Sequence, residues 1–322
     1  MNLKIGFVAP SSSLSKYELS LGLGRLKKLG YTTQVHPNTY KKNMFFAGKD
    51  DERLDALIEY AYREDLDVLW CARGGYGASH LLQKLEDETK VKGIPPKKIL
   101  AGYSDATVLL EFAKERWNWP VLHAPIPGLK NFLEIKGDAW NSLVSWIEGK
   151  KVSPLIGNKK LKLFSGDLRT AVEGELVGGN LSLWCTLMGT SLHPESKNKI
   201  LFLEDVGESL SRIDRMLWHL KNAGAFNQLS AVVMGDFYEC KDHAPIGIFK
   251  NKKGKEVKAP LRKTTTLNAV LKNFFGELSK INGLPVFIGA PVGHGKGKFC
   301  LPIGGNCRIS EKGEFEVLSW NE

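Results

Sequence analysis

"ILAGYSDATVLLEF", Ile99 to Phe112, is the stretch on which the fold turns. An apolar run stops at Gly102, Ser104 follows between Tyr103 and Asp105, and a second apolar run begins at helical spacing. The pattern predicts a strand, a tight turn and a helix. Ser104 has two readings at that junction. It is an N-cap for the helix, or a nucleophile held at a strand-to-helix turn.

Upstream the same alternation repeats. "LKIGFVAPSS" reads as a buried strand ended by Pro and Ser, and "SKYELSLGLGRLKKLG" as a helix closed by Gly. "YTTQVHP" reads as a second strand. "DDERLDALIEYAYRED" is a helix with acids in its first turn, where they suit the helix dipole. "LDVLWCARGG" is a third strand meeting glycines, and "ASHLLQKL" is helical. Strands alternating with helices predict an α/β fold with a parallel sheet covered on both faces.

The pattern changes after Glu148, where Gly, Pro and short β-like pieces take over. Residues 1–150 are therefore expected as one domain, 151–170 as a linker and 171–322 as a second domain. In the second half "LVGGNLSLWCTLMGT" is a Gly pair leading into a helix, and "NKILFLEDVGES" a buried strand ending in acids. "SRIDRMLWHLKNAG" is a helix. "LSAVVMGDFYEC" and "LPVFIGAPVGHGKG" are apolar runs ending in polar or Gly-rich loops. "KFCLPIGGNCRISEKGEFEVL" reads as terminal β-structure.

Bulk composition narrows the function classes. A chain of 322 residues, 43% hydrophobic and 25% charged, can bury a core without disulfides or a structural metal. The net charge of +10 is spread along the chain, with clusters at Lys41–Lys42, Lys159–Lys160 and Lys250–Lys258. No nucleic-acid motif accompanies it, so no nucleic-acid partner is expected. The Lys250–Lys258 run reads as a solvated loop or hairpin tip. Five scattered Cys without a C-x-x-C pair exclude a disulfide framework and fit a cytoplasmic protein. The N-terminal apolar run is too short for a signal peptide and no stretch has transmembrane length, so no membrane partner is expected.

In parallel α/β sheets ligands gather beyond the carboxyl ends of the strands. Four such ends carry chemistry: Arg73–Gly77 ("RGGYG"), Gly102–Asp105 ("GYSD"), Leu203–Glu208 ("LEDVGE") and Pro291–Gly295 ("PVGHG"). Together they hold a Gly loop, a Ser, carboxylates and a His, the parts of a Ser-His-acid hydrolase in the order Ser, Glu, His. Each part also has a structural reading. Ala106 breaks the G-x-S-x-G pattern, and Glu204 and Asp205 can end a strand or pair with Arg212 or Arg215. His294 lies between two glycines, with His80, His123, His193 and His219 as alternatives; His80 and His219 look like helix-face residues. No two His have zinc-site spacing, so no metal is expected. The "RGGYG" loop fits neither G-x-G-x-x-G nor a P-loop, and its N–H groups suit an oxyanion instead.

"RGGYGASHLL", "GYSDATVLL", "GGNLSLWCTLMGT", "LEDVGESLSRIDRMLWHL" and "PVGHGKGKFCLPIGG" resemble, in order, the signature blocks of the LD-carboxypeptidases, a family of serine peptidases. The resemblance runs from "IGFVAPSS" almost to the C-terminus. It implies an N-terminal Rossmann-like α/β domain and a smaller C-terminal domain of mixed, barrel-like β-structure, with the active site between them. It implies Ser104 as nucleophile, Glu204 as the acid and His294 as the base, with Glu208 the runner-up for the acid. The N–H groups of Gly75 and Asp105 become the expected oxyanion donors, and Arg73 a contact for the substrate carboxylate.

The reaction implied is removal of the terminal D-amino acid, D-Ala, from a murein tetrapeptide through an acyl-enzyme. It needs no cofactor and belongs to peptidoglycan recycling. The family also implies a homodimer. The alternative within the family is a microcin-C-like immunity peptidase cleaving peptidyl-nucleotides, which needs an aromatic platform. The alternative of another class is a non-catalytic muropeptide-binding protein. The sequence departs from the commoner pattern at "HAPI", His123–Ile126, in place of His-Gly-Pro. It departs again at Lys298, where Asn is usual, and in the long basic segment 238–266. These departures bear on substrate preference, which loops at a site's rim set.

Overall fold

The first half folds as its alternation predicts. In this computed structural model, which describes residues 2–193, 195–242, 246–250, 252, 255–260, 265–295 and 298–320, the chain runs β1 (Lys4–Val8), α1 (Lys16–Lys27), β2 (Thr32–Val35), α2 (Asp50–Tyr62), β3 (Val68–Cys71), α3 (Leu82–Lys92), β4 (Ile99–Gly102), α4 (Thr107–Trp117) and β5 (Val121–His123). Helices α5 (Lys130–Leu133) and α6 (Gly137–Ile147) follow. Strands β5, β4, β3, β1 and β2 lie side by side and parallel. Every residue of β3 and β4 is buried, as a parallel sheet covered on both faces requires. That explains their unbroken apolar runs.

The second half continues β6 (Lys162–Ser165), β7 (Val172–Asn180), α7 (Leu181–Thr186), β8 (Lys199–Val206), α8 (Leu210–Asn222) and β9 (Ala231–Tyr238). Next come β10 (Ile246–Lys250), β11 (Glu256–Pro260), α9 (Leu267–Asn282), β12 (Val286–Ile288), β13 (Leu301–Ile303), β14 (Asn306–Ile309) and β15 (Phe315–Ser319). Seven strands form a second sheet in the order β15-β14-β7-β8-β9-β12-β6, curled into a half-barrel. Its centre, β7-β8-β9-β12, is parallel and its flanks are antiparallel. The mixed, barrel-like expectation is met in that form.

Two features cross the expected division of the chain. Strand β6 falls inside the stretch expected as a linker. Strand β13, far along the second half, adds antiparallel to β5 at the edge of the first sheet. One apolar core runs through both halves. The Lys250–Lys258 run forms part of a hairpin, β10 against β11. Residues 243–245, 251, 253–254 and 261–264 of the long basic segment lie outside the described residues. Among the described residues no helix is long and apolar enough to cross a membrane.

Candidate active site

The turn after β4 answers the question of the hydroxyl. Tyr103 leaves the strand in extended conformation, and Ser104 then takes a left-handed φ of 61°. A non-glycine residue there costs about 1–3 kcal/mol and persists only where its surroundings hold it. The Ser104 side chain does not cap α4: the N-cap position is Ala106, and no side chain bonds to the helix end. The capping reading is corrected. The strained turn leaves Ser104 half-exposed with its hydroxyl free of helix duty.

The Gly loop after β3 presses on this turn. A Cβ built on Gly74 lies 3.0 Å from Ser104 Cβ and 3.2 Å from its Oγ. Ser12, beyond β1, holds the loop through two bonds. Its N–H donates to the Gly74 carbonyl at 3.2 Å, and its Oγ accepts from Tyr76 N–H at 3.3 Å. Gly75 lies between those two anchored residues. Asp105, 1% exposed, accepts from Ala78 N–H at 2.8 Å through Oδ2. Arg73 pairs with Glu18 at 3.3 Å on the rim.

The residues expected as acid and base come from the second sheet. Glu204, fully buried near the end of β8, binds His294 Nδ1 through Oε2 at 2.7 Å. Its Oε1 accepts from Asn180 Nδ2 at 3.3 Å. Burial pushes the Glu204 carboxyl up, opposed by the His294 ring. The next residue, Asp205, is fully used in structure. It accepts from Asn180 Nδ2 at 3.0 Å and Val206 N–H at 2.8 Å on one oxygen, and from Ser182 N–H and Oγ on the other. A register shift between Leu203 and Asp205 marks a bulge here. Bulges re-aim side chains, and this one accompanies the burial of both neighbouring carboxylates. Glu208 instead pairs with Arg212 at 3.0 Å and accepts from Ser182 Oγ. Of the two candidate acids, Glu204 is the one on the imidazole.

His294 follows β12 on a loop that needs glycine before it. Gly293 has φ 127°, and a Cβ there would sit 2.8 Å from Glu204 Oε2. The nucleophile's turn and the base meet through Tyr103, whose ring centroid is 4.5 Å from that of His294. Tyr103 is buried and its hydroxyl is pushed up to about 12 by that burial, so it stays a neutral wall. His123 stands behind it at 5.8 Å, edge-on. Burial lowers His123 to about 3, with the neighbouring His294 adding to the effect. That ring is therefore neutral and is no proton carrier near neutral pH. His80 lies beside Asp50 and Tyr76, and His193 beside Trp184. His219 is in the last turn of α8.

The arrangement thus joins Glu204 to His294 directly and Ser104 to the pair through Tyr103. Sequence reasoning did not single out Tyr103, Asn180 or Ser12. The first two stand inside "GYSD" and "GGN", next to the residues it did choose. Among the described residues no cluster of three or more His, Cys, Asp or Glu side chains could hold a metal ion. An imidazole bound to a buried carboxylate and packed on the residue before a strained serine has the parts that nucleophilic acyl transfer uses.

Comparison with known proteins points the same way. Residues 5–124 match the family model described as the LD-carboxypeptidase N-terminal domain, and residues 173–309 that of the C-terminal domain. A murein tetrapeptide carboxypeptidase of Pseudomonas aeruginosa is 29% identical over 94% of this chain and 91% of its own. The microcin C7 self-immunity protein of Escherichia coli is 27% identical over 73% of this chain and 76% of its own. The crystal structure of a muramoyltetrapeptide carboxypeptidase from Oxalobacter formigenes superposes with a TM-score of 0.76. The two are 26% identical, over 99% of this chain and 100% of that one.

Proposed function

We propose, given that this chain belongs to the LD-carboxypeptidase family, that it removes the terminal D-Ala from murein tetrapeptides by serine catalysis. The observation that carries the reading is the Glu204–His294 pair at 2.7 Å, against whose imidazole lies the ring of Tyr103, the residue before Ser104, at 4.5 Å. Ser104 Oγ attacks the carbonyl of the L–D peptide bond while His294 Nε2 takes its proton. Glu204 keeps Nδ1 protonated and stabilises the imidazolium that forms. Charge developing on the carbonyl oxygen is met by the N–H groups of Gly75 and Asp105. His294 then protonates the leaving amine, D-Ala departs, and a water activated by the same ring hydrolyses the acyl-Ser104 ester. No cofactor enters this sequence. Arg73 stands as a rim contact for the substrate carboxylate, in competition with Glu18.

The reading extends to a cytoplasmic homodimer in peptidoglycan recycling, and to a division of the chain at residues 151–170. A second reading, cleavage of peptidyl-nucleotides, is favoured by one observation. Phe45 and Tyr76 are about half exposed beside the Gly loop, with ring centroids 5.8 Å apart, and offer a flat ring a stacking surface.

The test incubates wild type and Ser104→Ala with a murein tetrapeptide and, in parallel, a peptidyl sulfamoyl-nucleoside, and follows release by mass spectrometry. D-Ala released by wild type alone supports the main reading. Cleavage of the nucleoside conjugate alone moves the function to the second. Binding without cleavage of either makes the protein a muropeptide receptor. Equal release by the variant removes Ser104 from the mechanism.

A further inference from the structure

Of the buried charged side chains among the described residues that the mechanism does not use, Arg53 is the one bound to the backbone of the Gly loop. Arg53 lies on α2, one turn into a helix whose first residues are acidic, at the start of the buried face that continues through Leu57, Tyr60 and Ala61. It is 1% exposed. Its guanidinium covers the Phe46 ring at 4.7 Å, and Nη2 donates to Asp50 Oδ1 at 2.6 Å. Nη1 donates to the carbonyl of Pro10, just ahead of Ser12, and to the carbonyl of Gly77 at 2.9 Å. The other end of that same peptide unit, Ala78 N–H, donates to Asp105 Oδ2 at 2.8 Å. Gly77 has φ 115°, and a Cβ there would sit 2.9 Å from Arg53 Nη1, so the guanidinium packs directly on the backbone.

We propose that Arg53 is a positioning residue for the oxyanion loop, clamping the Gly77–Ala78 peptide from its carbonyl side while Asp105 clamps it from its N–H side. The inference rests on the proposed role of Ser104 and Gly75. Asp105 is the residue after the nucleophile, so the clamp ties the Gly loop to the nucleophile's turn. Through Pro10 the same guanidinium also holds the segment that carries Ser12, the anchor of Gly74 and Tyr76. An apolar side chain would fill this space without the desolvation cost of a buried cation. The planar fork sets Nη1 on the Pro10 and Gly77 carbonyls and Nη2 on Asp50 at the same time. A lysine nitrogen can reach two carbonyls, as Lys98 does, but it has no second, coplanar nitrogen for Asp50, so it cannot keep all three acceptors.

The test compares Arg53→Met, Arg53→Lys and Asp105→Ala in the full-length protein. The readouts are kcat and KM on the tetrapeptide, the rate of Ser104 labelling by a fluorophosphonate, and thermal unfolding. Lys98→Met is the control. Lys98, 3% exposed, donates to the carbonyls of Ala61 and Pro96 at the opposite end of β4, so it matches the buried, carbonyl-bound character without touching the site. Displaced oxyanion donors cost on the order of a hundredfold in rate. The expected result is a fall in kcat and labelling rate of at least about tenfold for Arg53→Met and Arg53→Lys. KM should change less than about threefold, and Lys98→Met should lose stability alone. Arg53→Met and Asp105→Ala, acting on one peptide, should cost less together than the product of their separate effects. Folded Arg53 variants with wild-type kcat and labelling overturn the proposal. So does a kcat loss that Lys98→Met reproduces at equal loss of stability. If Arg53→Met does not fold, Arg53→Lys is read by the same criteria. Failure to label Ser104 in the wild type refutes the underlying mechanism instead, which separates the two.

Discussion

Replacing Gly74 by alanine tests whether the Gly loop and the nucleophile are set against each other as tightly as the structure shows. Gly74 does not occupy the left-handed region, so its backbone accepts a side chain without strain. The new methyl is the whole perturbation. It would lie 3.0 Å from Ser104 Cβ and 3.2 Å from Ser104 Oγ, whereas carbon pairs rest at about 3.5–4.0 Å. Some ~0.5 Å must open between loop and nucleophile. The Gly74 carbonyl is tied to Ser12 N–H at 3.2 Å and Ser104 sits on a strained turn, so either partner yields only by moving a reacting group.

Misplacement by about 1 Å costs roughly a hundredfold. Half of it on a logarithmic scale gives a loss of about tenfold in kcat, with KM little changed. Overpacking costs about 1–3 kcal/mol, and the lost freedom of glycine in the unfolded chain returns about 0.4–1, so the variant stays folded. Gly24→Ala is the matched control. A Cβ there meets nothing within 4 Å inside α1, and it should stabilise by about 1 kcal/mol with activity unchanged. The measurement is steady-state D-Ala release together with fluorophosphonate labelling of Ser104. Wild-type kcat and labelling in a folded Gly74→Ala protein would refute the reasoning that this contact sets the distance between nucleophile and loop.

Two further outcomes follow from buried carboxylates. Glu204→Gln keeps the shape but presents an amide to His294 Nδ1, which favours the wrong tautomer; kcat should fall by roughly 10⁴ with the fold retained, measured by single-turnover D-Ala release. Glu111, on α4, is pushed up to about 7 by burial, against the pull of Lys114 at 3.0 Å. Lys114 is itself shifted up against its burial by Glu111 and Glu175, which by itself would mark a stabilising pair. The Glu111 carboxyl is held up all the same, because Lys114 also meets Glu115 at 2.9 Å and Glu175 at 3.2 Å and its charge is balanced without Glu111. A carboxyl raised on folding gives stability that is full below its unfolded value, near 4.5, and lost as pH rises through about 7. Glu111→Gln should therefore match wild type in urea unfolding near pH 4.5 and exceed it at pH 8, by at most about 3 kcal/mol. Equal stability at pH 8 would show that Lys114 compensates the buried charge in full.

What could be read from the sequence was whatever local periodicity and turn chemistry encode. The βα alternation, the strand before Ser104, the acids ending β8 and the glycines flanking His294 all have local signals. Other features depend on contacts that no local pattern carries. Strand β13 pairs with β5 across more than half the chain. Arg53 falls on the apolar face of α2, four residues before Leu57, but no local pattern tells that the Phe46 ring and the Gly77 backbone meet its guanidinium. The sequence favours Glu204 over Glu208, but the bulge in β8 beside it is not announced by a run of apolar and acidic residues. The exposed aromatic surface comes from Phe45 and Tyr76 in loops, where no periodicity marks an aromatic as exposed.

The site is divided between two sheets, and the way they are joined limits how it can vary. The Ser104 turn belongs to the first sheet; Glu204 and His294, the proposed acid and base, belong to the second. Two of the contacts that cross between them come from residues immediately around Ser104. Tyr103 lays its ring on His294 at 4.5 Å. Thr107 Oγ1 accepts from Asn180 N–H at 3.1 Å, beside the asparagine side chain that bonds to Glu204. A Cβ on Gly179 would lie 2.7 Å from the Thr107 methyl, so this approach admits nothing larger than glycine. The turn that strains the serine is therefore also where the second sheet docks. A shift of one sheet on the other moves the base relative to the nucleophile and breaks the Thr107–Asn180 bond in the same motion. Closely packed interfaces resist such graded shifts, so the distance over which the proton must pass is set by packing between the sheets and not by the flexibility of any one loop.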